Sequence, residues 1–452
     1  MATSVGVARA SKQRIITDDV PLNWFHARMT IFTSGGAFCD GYILGTIAIA
    51  LTLLTPVLKL TPVLSGLVGS AALAGLFFGS LVFGYVTDFV GRKFMFITNL
   101  IAFIVFSALQ FWITDVMQLV VLRFFLGLAV GADYPIASSL LAEFSPRKQR
   151  GLLLGIFTGM WWVGFTAAYA VGALLVSSGP DAWRWLLASS AVPAAILLIA
   201  RLDCPESPRW LMEKGRVGEA RKILDKYFGE NVDIELPEKS VKTSFVQIFS
   251  KGYGPRTIFC SLFWVLQAAP GLAIGTYIPK VLANFHLATA NFTYYGTLII
   301  GIFYILGMIP GVYLVDKIGR RPVIIWPFIG QAVLLISLAK MTNATPFAIL
   351  VVFCFYAILH TGTSVVQFIY PNELFPTEVR ATAFGFATAI SRLGAFWGTF
   401  FMPIILSKFG NAGGMYFNAA LFLIGFVICY FMAPETANLS LTQAASIKRP
   451  SH

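Results

Sequence analysis

Charge is what this chain has least of. Asp, Glu, Lys and Arg make up 12% of its 452 residues, against roughly a quarter in a soluble domain, while 57% of the residues are hydrophobic. A solvated surface cannot be built from that composition, which excludes a water-soluble enzyme or binding domain. Cysteine is sparse as well. The five (Cys39, Cys204, Cys260, Cys354 and Cys429) are scattered, four of them in apolar runs, with neither disulfide nor metal-ligand spacing. There is no Gly-Lys-Ser/Thr phosphate loop, which argues against ATP-driven pumping by this chain. No nucleophile–base pair or metal cluster can be placed in the apolar runs, so the chain reads as a non-enzyme with no cofactor and no metal.

What the sequence has in abundance is apolar runs of bilayer-spanning length. Twelve can be drawn, at about 30–54, 62–87, 94–114, 117–143, 151–177, 182–202, 256–283, 291–315, 322–341, 345–371, 381–407 and 411–433. The first is too long for a signal-peptide core and is expected to be a retained span. The fold class expected is an all-α membrane protein of two six-helix halves, residues 1–202 and 256–452, joined by linker helices in 203–255. Twelve spans put both tails on one side. Only Lys59, Arg184, Lys280, Lys340 and Lys408 fall on the other side, leaving 26 of 33 Lys and Arg with the tails once two in-span residues are set aside. By the positive-inside rule the tail side is cytoplasmic. The net charge of +12 is therefore topological, and nucleic acid is not an expected partner.

The chain also repeats its own punctuation. Asp88-Phe89-Val90-Gly91-Arg92-Lys93 returns 228 residues later as Asp316-Lys317-Ile318-Gly319-Arg320-Arg321. Glu143-Phe144-Ser145-Pro146 with Arg150 returns 230 residues later as Glu373-Leu374-Phe375-Pro376 with Arg380. A parallel internal repeat in so apolar a chain is a transporter signature. Gly84 to Lys93 resembles the loop-two motif of the major facilitator superfamily, and Arg123 with Gly127 and Gly131 resembles its fourth-span motif. The repeated Glu-x-x-Pro-x-x-x-Arg, the linker Pro205-Glu206-Ser207-Pro208-Arg209-Trp210-Leu211 and the tail Pro434-Glu435-Thr436 resemble the sugar-porter branch and its metabolite:proton symporter relatives. The resemblance implies a gating role for Asp88, Arg92, Lys93, Glu143, Arg150, Asp316, Arg320, Arg321, Glu373 and Arg380. Asp88 would face a helix N-terminus of the other half and hold one side shut; the alternative for Arg92 and Lys93 is plain topological anchoring.

Ionisable groups at membrane depth are costly and usually functional. Asp40, Asp133 and Arg392 fall near the middle of spans one, four and eleven, and Arg123 nearer the outer end of span four. Phe38-Cys39-Asp40-Gly41-Tyr42 resembles the first-span pattern of aromatic-acid symporters; the acid that sugar porters carry three residues further on is Ile43 here. Gly131-Ala132-Asp133-Tyr134-Pro135 resembles a fourth-span signature of phosphate symporters, which implies proton coupling for Asp133 and substrate contact for Tyr134. Both Asp40 and Asp133 are proton-coupling candidates with Arg123, or else structural partners of Arg123. Arg392 resembles the eleventh-span Arg of organic anion transporters, and its fork matches a carboxylate. Gln267 stands where sugar porters place the first of two glutamines, the second being Ala268. Tyr42, Trp161 and His360 complete the candidate substrate-binding set, each with helix packing as its alternative.

The function expected is alternating-access, proton-coupled symport of a small organic anion, in a monomer of the bacterial inner membrane. A sugar or polyol symporter, a phosphate symporter, a drug exporter and a non-transporting sensor are the alternatives.

Overall fold

A computed structural model describes residues 15–16, 20–146, 149–229, 232–233, 245–250, 252–285, 290–341, 344–437 and 439. With no water at membrane depth, backbone groups must be paired inside each segment, so apolar runs become helices. The first half comprises α1 (Trp24–Val57), α2 (Pro62–Val90), α3 (Arg92–Leu109), α4 (Val116–Phe144), α5 (Arg150–Leu175) and a sixth span broken into α6 (Ala182–Ala188) and α7 (Ala191–Arg201). The linker carries α8 (Pro208–Glu213) and α9 (Val217–Phe228). The second half comprises α10 (Gly254–Asn284), α11 (Ala290–Lys317), α12 (Arg320–Lys340), a broken span of α13 (Pro346–Ser364) and α14 (Val366–Leu374), and α15 (Thr377–Met432).

Eleven described helices are long and apolar enough to cross a bilayer. The last of them, α15, holds two passes, because at Gly410 the backbone leaves the helix with φ 65° and ψ −169°, a conformation glycine adopts without a Cβ clash. The described residues therefore hold twelve segments long and apolar enough to span a bilayer. Three spans that start on the face opposite the linker carry side-chain caps. Thr61 and Thr345 each accept the backbone N–H three residues on, with Pro at the first helical position, and Asp115 caps α4 in the same role.

Within the first half α1 packs on α5 and α2 on α4. Within the second, α10 packs on α15 and α11 on α13. The halves meet where α2 lies on α15, α5 on α11 and α1 on α10. Hydrogen bonds between described residues cross that seam: Tyr277 Oη donates to the Ser65 carbonyl at 2.8 Å, Tyr169 Oη to Gly275 at 2.6 Å and Thr166 Oγ1 to Gly301 at 2.8 Å. All three lie toward the face opposite the linker. The linker docks on the first half. Tyr227 of α9 stacks on Phe25 at 4.2 Å, and Arg28 pairs with Asp203 at 2.8 Å, a bond that holds the exposed Asp203 carboxyl below its usual range.

Candidate functional site

Between the halves lies a cavity of about 80 Å³. Trp161 and Trp162 reach it from α5, Trp264 and Gln267 from α10, His360 and Ser364 from α13, Gln367 and Phe368 from α14, and Arg392 from α15. Val365, between α13 and α14, keeps helical dihedrals (φ −61°, ψ −40°), so Ser364, Gln367 and Phe368 fall on one wall by i, i+3, i+4 spacing. The lining is therefore indole and phenyl rings with a few convergent polar groups, the usual make-up of a small-molecule site. Trp162 bridges the halves, stacking on Tyr304 at 4.7 Å and meeting the His360 ring edge-on at 5.9 Å.

Four of the six substrate-binding candidates meet here: Arg392, Gln267, Trp161 and His360. His360 is fully engaged by protein, with Nε2 3.3 Å from Gln267 Nε2 and Nδ1 3.0 Å from Gln331 Oε1. Tyr42 is not among the cavity residues. Its hydroxyl bonds Ser189 at 2.9 Å and its ring stacks on Phe38, because its turn of α1 faces α6. Tyr134 lies on α4, but its side chain, like that of Asp88, falls outside the described residues.

The buried charges pair differently from the sequence expectation. Asp133 is bound to Arg201, not Arg123: Arg201 Nη1 lies 3.1 Å from Asp133 Oδ1, and both side chains are completely buried. Arg201 also donates to the Phe32 carbonyl at 3.0 and 2.7 Å, and its guanidinium sits 3.3 Å over the Phe96 ring. The physical reason is where α7 ends: its last residue turns into the bundle beside α1 and α4. A count of charges by side, which sets Arg201 among the tail-side charges at the end of the sixth span, does not see this. Gly36 of α1 leaves the room this pair occupies, since a Cβ there would collide with both Asp133 Oδ2 and Arg201 Nη2.

Asp40 stands one helical turn beyond Gly36. Neither of its carboxyl oxygens has a hydrogen-bond partner among the described residues, and Asp133, Arg201 and Arg392 are the charges within electrostatic reach. Arg123 is not its partner. That guanidinium is buried above, with Nη2 3.5 Å from the Ile43 carbonyl and Nε and Nη1 unbonded among the described residues. Breaking the Asp133–Arg201 pair strands a buried cation. Asp133→Asn is therefore expected to destabilise the protein by about 3–5 kcal/mol, read as a drop in melting temperature in detergent; an unchanged melting temperature would refute a structural pair.

On the linker face the repeat becomes a pair of matching networks. Arg92 ion-pairs with Glu143, which accepts from Ser207 Oγ at 2.5 Å, while Glu206 accepts from the Arg92 and Lys93 backbone N–H groups at 3.1–3.2 Å. In the second half Arg320 pairs with Glu373 at 3.0 Å, Thr436 Oγ1 donates to Glu373 at 2.5 Å, and Glu435 accepts from the N–H groups of Arg320 and Arg321 at 2.9 and 3.0 Å. A carboxylate thus caps the N-terminus of α3 and of α12. Gly91 and Gly319, at φ 104° and 97°, make the tight turns, and a Cβ on either would crowd the capping carboxylate. Arg150 and Arg380 donate to the Ser145 and Phe375 carbonyls at the ends of the preceding helices. Asp316 is mostly exposed, 3.4 Å from Arg320. These described contacts run within each half and its adjoining linker or tail, whereas the resemblance implied contact across the halves. Glu206, Ser207, Glu435 and Thr436 are site residues that the motif reading misses although their signal is present, each pair recurring 229 residues apart. Glu206→Ala leaves two helix N–H groups without their acceptor. It is expected to cost about 1–3 kcal/mol, measured by thermal unfolding, with ligand affinity unmoved; a wild-type melting curve would contradict the capping role.

A family model described as "Sugar (and other) transporter" matches residues 29–447. The inner membrane metabolite transport protein YgcS of Escherichia coli (strain K12) is 38% identical over 435 residues, covering 95% of this chain and 96% of that protein. YaaU of the same organism is 38% identical over 432 residues, covering 95% of this chain and 97% of that protein. The xylose transporter XylE from E. coli, in a partially occluded inward open conformation, matches with a TM-score of 0.78 at 22% identity over 92% of this chain and 99% of that chain, a likeness of fold.

Proposed function

This chain belongs to the sugar (and other) transporter family, is a multi-pass membrane transporter with the two-half major facilitator fold, and on that premise we propose that it couples the entry of a small organic anion to a proton. The observation that carries the reading is Arg392 in the wall of the cavity between the halves, with Asp40 within reach of its charge. A guanidinium recognises a carboxylate by its fork. Asp40 is the proton carrier in this reading, since it can gain or lose a proton without breaking an ion pair, whereas Asp133 is tied to Arg201.

Arg201 changes the charge count. Three arginines within the spans (Arg123 and Arg201 buried, Arg392 half-buried) accompany two buried aspartates, Asp40 and Asp133, giving one net positive charge when all are ionised. A monoanion and one proton entering together leave that sum unchanged. Loaded and empty carriers then meet the same electrostatic cost on reorientation, and symport is electroneutral. The linker face is cytoplasmic in this reading, the membrane is a bacterial inner membrane, and the protein works as a monomer whose halves rock about the cavity.

A neutral sugar or polyol is the second reading, favoured by the amides of Gln267 and Gln367 in the cavity wall. The discriminating experiment is uptake into proteoliposomes of gluconate against glucose, with and without an imposed pH gradient. Gradient-driven gluconate uptake supports the anion; uptake of glucose alone supports the sugar.

A further inference from the structure

The polar wall of the cavity is a chain of hydrogen bonds with a fixed direction, and its anchor lies outside the cavity. Gln331 of α12 is fully buried, and its amide contacts the Pro327 carbonyl at 3.0 Å. A backbone carbonyl only accepts, so the Gln331 atom there is Nε2, and Oε1 is the atom 3.0 Å from His360 Nδ1. Facing an acceptor, Nδ1 carries the imidazole proton and Nε2 is left with its lone pair. Gln267 must then offer His360 its Nε2, at 3.3 Å. A second check agrees: Ser364 Oγ donates to the His360 carbonyl at 3.2 Å, so it accepts from the same Gln267 Nε2, at 3.1 Å. Gln267 Oε1 therefore accepts, and the donor it meets is Gln367 Nε2. What remains at the end of the chain is Gln367 Oε1, an acceptor with no partner among the described residues, on a side chain that lines the cavity.

We infer that Gln331 is a positioning residue that sets the polarity of this wall, so that Gln367 presents an acceptor to the substrate opposite the cationic Arg392, and that the substrate class is a carboxylate bearing a hydroxyl or N–H donor. The inference rests on the proposed carboxylate reading for its anionic end and on the hydrogen-bond chain for its donor end. A site with a buried acceptor discriminates against an analogue that leaves the acceptor unpaired. His360 in this arrangement holds one neutral tautomer and serves the direction of the chain.

The test is ligand binding to the purified full-length protein, read by quenching of tryptophan fluorescence from the three cavity indoles. The probes are two matched pairs, gluconate with hexanoate and 4-hydroxybenzoate with benzoate, plus glucose. In at least one pair the hydroxylated acid should bind at least about tenfold more tightly than its plain partner. Gln331→Leu should collapse that ratio, and Gln331→Glu should restore it, because a protonated carboxyl donates to Pro327 and accepts from His360 as the amide does. Gln367→Met should collapse the ratio as well, which serves if Gln331→Leu does not fold. Equal weakening of both members of a pair in the Gln331 and Gln367 variants would reduce the network to packing and overturn the inference while leaving the carboxylate reading intact. Binding of glucose without either hydroxylated acid would overturn the carboxylate reading, and the substrate class with it. Absence of a hydroxyl preference in the wild type would overturn the donor end alone.

Discussion

Replacing Arg392 with alanine is expected to abolish accumulation of the organic anion, lowering kcat/KM by about 30-fold or more. Truncating one member of a buried, hydrogen-bonded charge pair costs roughly 2–5 kcal/mol, and the tenfold scale of 1.4 kcal/mol converts that to the stated loss. Much of the penalty falls on the substrate, whose carboxylate would enter an aromatic cavity without a cation. Arg392→Lys keeps the charge but not the planar fork, so it should recover only part of the loss. Radiolabelled uptake in proteoliposomes reads both variants. Wild-type uptake of the acid by Arg392→Ala would remove the carboxylate from the account, and preserved glucose uptake by the same variant would turn it toward the sugar.

The second large effect belongs to Asp40. In the proposed mechanism the Asp40 carboxylate, when ionised, would attract Arg392 as well as Arg201. A proton on Asp40 would weaken that attraction and leave Arg392 to the substrate anion, and its loss on the other side would favour release of the anion. Asp40→Asn mimics the protonated state permanently. It should therefore bind substrate and exchange it across the membrane, yet fail to concentrate it. One unit of pH is worth about 1.36 kcal/mol per proton, so a 1:1 symporter can build a gradient of about tenfold from it, and the variant should build none. Exchange and net accumulation are measured on the same vesicles. Accumulation by Asp40→Asn at the wild-type level would assign the proton to another group.

The sequence made the skeleton legible and the pairing illegible, for one physical reason. Bilayer length and glycine punctuation are properties of the chain alone. The broken helix at Gly410 falls between the two expected last spans, and the recurrence of Glu206-Ser207 as Glu435-Thr436 foreshadows the two capping networks. Which face of a span meets which neighbour depends on its rotation, and a helix apolar on every side carries little record of that. α1 is buried along most of its length, so nothing in its pattern says that Tyr42 turns to Ser189 and away from the cavity. Arg201 is the last residue of α7, and whether such a residue points to the linker or back into the bundle is decided by α1 and α4 around it. Gln331 gives no sign of its role in the sequence, because it sits on α12, which supplies none of the described cavity lining, and it touches that lining through His360 of α13.

The most direct test of proton–anion symport is uptake of labelled gluconate and 4-hydroxybenzoate into proteoliposomes with the pH gradient and the membrane potential imposed separately. Protein-free vesicles and Arg392→Ala provide the baseline. The account predicts accumulation driven by an inside-alkaline pH gradient and indifferent to an inside-negative potential, because one proton and one monoanion cross together. Accumulation of glucose in place of both acids, or acid uptake that follows the potential and ignores the pH gradient, would contradict it.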